Sequence, residues 1–154
     1  MKIDIEKLKS KTIFVGLADE QIEAILGFAE ERSAQGGEVI LNEKEPGDSL
    51  YVILKGKVEI HHFEAGEDRL LASLSGSDNL AAQYEGDFFG EMSLLDTEPR
   101  AASVVAAEPA ELLVLTRDRL AELFEKDLRL QVVLFGNIAR VLSRRIRVSI
   151  PRVK

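Results

Sequence analysis

The chain has 154 residues, 45% of them hydrophobic, which is enough for one domain with a single core. It contains no cysteine and no apolar run of membrane-spanning length, so a disulfide framework, thiolate chemistry and membrane insertion are excluded as readings of this sequence. The net charge of −7 is uneven: residues 140–154 carry six basic side chains and no acid, leaving −13 on the remainder, and an acidic body argues against a broad nucleic-acid surface.

Residues 1–6 lack the apolar core of a secretory signal, so the expected location is cytoplasmic. A helix is predicted over residues 19–31, where Ile22, Ile25, Leu26 and Ala29 fall at i, i+3, i+4 and i+7 behind Asp19 and Glu20. From residue 33 to 115 the pattern becomes short strands broken by turns. Strands are predicted at 38–41, 50–54, 58–63, 69–74, 101–106 and 110–115. Turns are read at 45–48, 55–57, 65–68 and 108–109, and Gly and Pro punctuate most of them. The segment 75–85 reads as a small, polar loop.

Helices return after Thr116, a candidate cap for a helix that buries Leu120, Leu123 and Phe124. A long helix follows over residues 127–148 with two apolar stripes. One is Leu128, Val132, Phe135, Ala139, Leu142 and Ile146; the other is Leu130, Leu134, Ile138 and Val141. One stripe suffices to pack a helix on its own domain. The second points to a homodimer formed through this helix. The basic residues 149–154 are read as a solvated tail that complements the helix dipole.

The expected fold is mainly β with flanking helices. It is a single domain, 1–154, with a helical part at 1–32, a β-roll of jelly-roll type at 33–115, and C-terminal helices at 116–148.

The chemistry concentrates in residues 88–102. Gly90 frees the backbone for close approach. Residues 91–95 can start a short helix whose first N–H groups point at an anion. Met92, Leu94 and Leu95 are expected to anchor that turn in the core. Arg100 offers a planar fork of donors suited to phosphate oxygens. Glu91, when ionised, only accepts, and a sugar hydroxyl is a natural donor to it. A small phosphate ester carrying a sugar hydroxyl matches this set.

The run Phe89-Gly90-Glu91-Met92-Ser93-Leu94-Leu95, followed by Pro99-Arg100-Ala101-Ala102, resembles the phosphate-binding cassette of the cyclic-nucleotide-binding domain family. The family's F-G-E-hydrophobic-small-L-L-x-x-x-P-R-A-A pattern is matched without a gap. The resemblance extends to the order of helix, β-roll and C-terminal helices and to turns at Pro46-Gly47-Asp48 and Gly56.

It implies a ligand-binding set of Phe89, Gly90, Glu91, Met92, Ser93, Arg100, Ala101 and Ala102. Glu91 would take the ribose 2′-hydroxyl and Arg100 the cyclic phosphate. Backbone amides near Gly90, Glu91, Met92, Ser93 and Ala102 would complete the cradle. Family members preferring cyclic GMP often carry threonine or serine after the arginine. Ala101 stands there, which favours cyclic AMP over cyclic GMP. The base would be covered from residues 141–146.

The resulting expectation is a non-enzymatic cAMP receptor that signals to an unknown effector through its C-terminal helices, needs no cofactor, and does not bind DNA by this chain alone. The alternatives are a β-roll scaffold that no longer binds nucleotide, and the sensor part of a transcription regulator without its DNA-binding domain. A cupin-type metal enzyme is disfavoured. The only histidines, His61 and His62, are adjacent in a strand and point to opposite faces, so no metal ligand and no catalytic residue is assigned.

Overall fold

The structure is a computed structural model that describes residues 3–76 and 86–150. Most of the polar segment 75–85 and of the basic tail 149–154 lies outside the described residues. Two helices come first, α1 (Ile5–Lys9) and α2 (Asp19–Leu26). Five strands follow: β1 (Glu30–Ala34), β2 (Val39–Leu41), β3 (Ser49–Lys55), β4 (Lys57–Glu64) and β5 (Glu67–Ser75). The cassette contributes β6 (Phe88–Phe89) and α3 (Met92–Leu95). Then come β7 (Ser103–Ala106), β8 (Ala110–Thr116), α4 (Arg117–Lys126) and α5 (Leu128–Ser149).

The strands form two antiparallel four-stranded sheets, ordered β1-β8-β3-β6 and β2-β7-β4-β5. The first sheet is the middle layer of the molecule, and its period-two alternation sorts side chains to both sides. Tyr51, Ile53, Phe89 and Leu112 join the core shared with the second sheet. Leu50, Val52, Phe88, Leu113 and Leu115 join the core under the helices. There they meet Phe14, Ile22 and Ile25 on one side and Leu120, Leu134 and Ile138 on the other. This explains why β3 reads as an unbroken apolar run: it is buried on both faces.

The predicted β-roll flanked by helices is the observed architecture. Several boundaries differ. The helix expected to reach residue 31 stops at Leu26, and Glu30–Ala34 pairs with β8 instead. The 32/33 division between helical part and roll therefore falls inside β1. Ala29 continues the helical period, but the pairing of Glu30 with Val114 is non-local and wins. The strand placed at 101–106 begins at Ser103. Thr116 occupies the N-cap of α4 without a side-chain hydrogen bond, whereas Asp127 caps α5 by accepting from Leu130 N–H at 3.0 Å.

α5 buries Leu130, Leu134, Asn137, Ile138 and Val141. Of the stripe that begins at Leu128, Leu128 and Val132 remain 69% and 71% exposed, while Phe135 and Leu142 pack against the core under the helices. Among the described residues no helix is long and apolar enough to cross a membrane.

Candidate functional site

The cassette leaves β6 through Gly90, whose φ of +79° is a left-handed conformation that side chains disfavour. That turn lets α3 begin at once and places Glu91 at its N-cap. Arg100 returns beneath it. Its Nη1 donates to the Gly90 carbonyl (3.1 Å) and to Ser93 Oγ (2.7 Å), and its Nη2 donates to the Ser49 carbonyl (3.0 Å). Three of the five guanidinium donors are thus accounted for by the fold.

The backbone of Arg100 is also fixed, donating to the Glu45 carbonyl and accepting from Lys44 N–H, both at 2.8 Å. The turn 45–48 is therefore strapped to Arg100, and Gly47 lies directly against its guanidinium. Burial pulls the Arg100 pKa below its ordinary value, opposed by the nearby Tyr51, Asp48 and Glu91. The group stays charged regardless.

Phe89, Gly90, Glu91, Met92, Ser93, Arg100, Ala101 and Ala102, the whole predicted set, line one cavity of about 110 Å³. Their parts in it are unequal. The Phe89 ring is buried and stacked on Tyr51 at 5.0 Å, so it forms the floor. Glu91 and Ser93 are buried. The Ser93 N–H donates to the Gly90 carbonyl at 3.3 Å, so this amide is engaged within the turn.

Met92 and Leu95 do not anchor the turn as expected. They are about half exposed, and Leu94 alone packs against the core under the helices. A single turn can turn only one side inward, and Ser93 and Leu94 occupy that side.

Sequence reasoning missed two groups. The second sheet contributes Leu41, Ile60 and Val104 to the cavity wall. α5 contributes Arg145, whose Nη1 donates to Glu91 Oε1 at 3.2 Å and whose Nη2 donates to the Phe88 carbonyl at 2.6 Å. The segment 141–146 was expected over the site, but its arginines read as tail cations, and no local signal sets Arg145 apart from Arg144 and Arg147.

A larger cavity of about 510 Å³ lies elsewhere, between α1 and the roll, and contains none of the predicted residues. Its lysines Lys7 and Lys55 share it with Asp4, Glu31 and Glu111, and the Lys11 ammonium donates to the Gly76 carbonyl. His61 pairs with Asp68 and His62 with Glu43, so the two imidazoles go to separate carboxylates. Among the described residues no group of three or more His, Cys, Asp or Glu side chains is placed to hold a metal ion.

The sequence pattern of the family described as "Cyclic nucleotide-binding domain" matches residues 31–127. The cyclic AMP receptor protein of Thermus thermophilus is 36% identical over 141 residues, which are 91% of this chain and 59% of the receptor. A cGMP-dependent protein kinase of Caenorhabditis briggsae is 32% identical over 120 residues, which are 77% of this chain and 15% of the kinase. The chain thus spans less than two thirds of the length of these relatives.

The crystal structure of a cyclic nucleotide-binding domain from Methylobacillus flagellatus superposes with a TM-score of 0.77 at 27% identity, covering 94% of this chain and 77% of that one. With the pattern matched from the first strand to the cap of the last helix, and the helix-flanked roll shared, the chain belongs to the cyclic nucleotide-binding domain family.

Proposed function

We propose that the chain is a non-enzymatic cytoplasmic receptor module for cyclic AMP. The observation that carries this reading is the joint placement of Arg100 and Glu91 on one cavity, with the Arg100 fork already held by Gly90, Ser93 and Ser49. Arg100 would neutralise the cyclic phosphate, aided by backbone amides around residues 90–92 and 102. Glu91 would accept from the ribose 2′-hydroxyl. Leu41, Ile60, Met92 and Val104 offer apolar surface to a purine, and Ala101 leaves no hydroxyl for a guanine amino group.

The module acts as a homodimer through α5. The stripe Leu128, Val132, Phe135, Ala139, Leu142 and Ile146 is spaced 4-3-4-3-4, the repeat of a coiled-coil seam; Phe135 and Leu142 also pack on the chain's own core, while Leu128, Val132, Ala139 and Ile146 face outward, and a second copy of the same helix is their natural cover. Binding changes what α5 presents to an effector protein only to the extent that nucleotide favours one arrangement of the helix over another.

Calorimetry with cAMP and cGMP on the wild-type chain and on Arg100→Ala tests the reading. Micromolar or tighter binding, about 8 kcal/mol, that the substitution abolishes is the expected result. No binding by folded, nucleotide-free wild type refutes it and leaves an interaction scaffold.

A further inference from the structure

We propose that Arg145 is an internal competitor for the ribose site, a clamp that ties the end of α5 to Glu91 until nucleotide displaces it. The competition rests on the nucleotide reading of the cavity; the clamp itself rests on geometry.

Among the described residues, three contacts hold the guanidinium. It donates to Glu91 Oε1 at 3.2 Å and to the Phe88 carbonyl at 2.6 Å, and it lies 4.8 Å over the Phe88 ring. The ion pair is largely shielded, with the side chains 17% and 8% exposed. Low exposure strengthens such a pair and makes it costly to leave either member alone. Glu91 reaches the clamp from the cassette, 54 residues earlier in the chain.

The position on α5 matters. Val141 is the last fully buried side chain of the helix, and residues 146–150 are exposed. Arg144 and Arg145 are the last partly buried points before the helix leaves the roll. Ile146, the last residue of the outward seam, follows immediately. A shift of Arg145 therefore moves the end of the seam.

The chemistry sets the two uses of Glu91 in competition for one carboxylate, whose Oε1 a hydroxyl must share with Arg145 or take from it. A sugar hydroxyl directed there meets a charge-assisted bond already in place. Space gives the same answer: the cavity with Arg145 in its wall measures about 110 Å³, against roughly 300–1,000 Å³ for pockets that enclose small ligands. Seating a nucleotide requires the wall to open, and Arg145 is the part of the wall carried by a helix and not by the roll or the cassette. Its clamped state lowers apparent affinity by the fraction of molecules so held.

The test measures amide hydrogen exchange across residues 138–150 and cAMP affinity by calorimetry, on the full chain, with wild type, Arg145→Gln, Arg145→Lys and Glu91→Gln. Arg145→Gln should raise exchange in the last turns of α5 without nucleotide, leave exchange in β3 and β8 unchanged, and tighten cAMP binding about 5- to 10-fold. Arg145→Lys should fall between it and wild type. Glu91→Gln should raise the same exchange from the other side of the pair, which keeps the test decisive if an Arg145 variant folds poorly.

Weaker cAMP binding by Arg145→Gln overturns the proposal, because Arg145 would then contact the ligand instead of yielding to it. Unchanged exchange in both Arg145→Gln and Glu91→Gln overturns the clamp. Raised exchange with no cAMP binding by any variant upholds the clamp and overturns the nucleotide reading together with the competition.

Discussion

A Cβ built on Gly47 would overlap Nε and Cζ of Arg100, so the turn before β3 can close over the guanidinium only because residue 47 has no side chain. The turn holds Arg100 from above while Gly90, Ser93 and Ser49 hold it from the cassette side. Gly47→Ala must therefore push Arg100 out of at least one of these bonds. Hydrogen bonds to a charged group contribute about 1.5–3 kcal/mol, so cAMP affinity should fall about tenfold or more. Global stability should change little, because the displaced group is half-buried and can reach water. Calorimetry paired with thermal unfolding separates the two effects; unchanged affinity would mean that the turn does not position Arg100.

Asp87, just before β6, is buried and accepts from Thr12 N–H and Thr12 Oγ, tying the segment after α1 to the cassette. Burial raises its pKa, against the lowering effect of the Thr12 bonds and of Lys11. A carboxyl with a raised folded pKa holds its proton more tightly in the folded protein than in the unfolded chain. Its contribution is therefore most favourable below the unfolded value of about 3.9 and declines as pH rises through the folded value. The slope is at most about 1.4 kcal/mol per pH unit. Asp87→Asn keeps one acceptor for Thr12 and does not titrate. Urea unfolding from pH 4 to pH 8 should show wild type losing stability relative to the variant as pH rises. A difference that is flat in pH, or of opposite sign, would refute the assignment.

The cassette was legible in the sequence because its parts are contiguous: the glycine, the carboxylate, the turn and the arginine all lie within residues 89–102. What it touches was not. Gly47 and Arg145 reach Arg100 and Glu91 from distant parts of the chain, and nothing local distinguishes Arg145 from Arg144 or Arg147. The same division holds for the fold. The apolar, β-rich run Leu50–Leu54 identified β3, but Phe88 and Phe89 make a strand of only two residues that exists by pairing with Tyr51 and Val52. α1 escaped for a similar reason: five residues carry almost no period, and its clearest mark is Asp4 accepting from Glu6 N–H. On α5 both stripes were readable, and the structure assigns Leu130, Leu134, Ile138 and Val141 to the interior.

Base selectivity should respond to position 101. Ala101 is exposed at the cavity wall, so a longer side chain meets no packed core. Ala101→Thr supplies a hydroxyl that can pair with a guanine amino group. One neutral hydrogen bond contributes about 0.5–1.5 kcal/mol, so cGMP affinity should rise about 2- to 10-fold with cAMP affinity little changed. Equal changes for both nucleotides would mean that residue 101 faces the phosphate or sugar, not the base.

The outward seam of α5 should decide oligomeric state. Val132 is 71% exposed, so Val132→Lys costs the folded chain almost nothing by itself. Opposed by its copy across a two-fold helix pair, it places two cations in an apolar seam. Sedimentation should show a wild-type dimer converted to a monomer with an unchanged circular dichroism spectrum. A wild-type monomer at all concentrations would remove the dimer from the proposal.

Asn137 is the one polar side chain on the buried stripe of α5. Its amide donates to the carbonyls of Ile13 and Val15, both at 2.8 Å, and so fastens the segment after α1 to the last helix. That segment is fastened at its other end by Asp87, just before the cassette, which makes residues 12–15 a physical bridge between the site and α5. Asn137→Leu keeps the branching and the number of side-chain heavy atoms but strands the Ile13 carbonyl away from water, and a buried group left without its partner costs about 1–3 kcal/mol. Denaturant unfolding should show a loss of that size. cAMP binding should persist, because Asn137 touches no residue of the cavity, while any change that nucleotide produces in exchange across residues 138–150 should become smaller. A variant as stable as wild type, with the exchange response intact, would show that the bridge carries neither stability nor coupling.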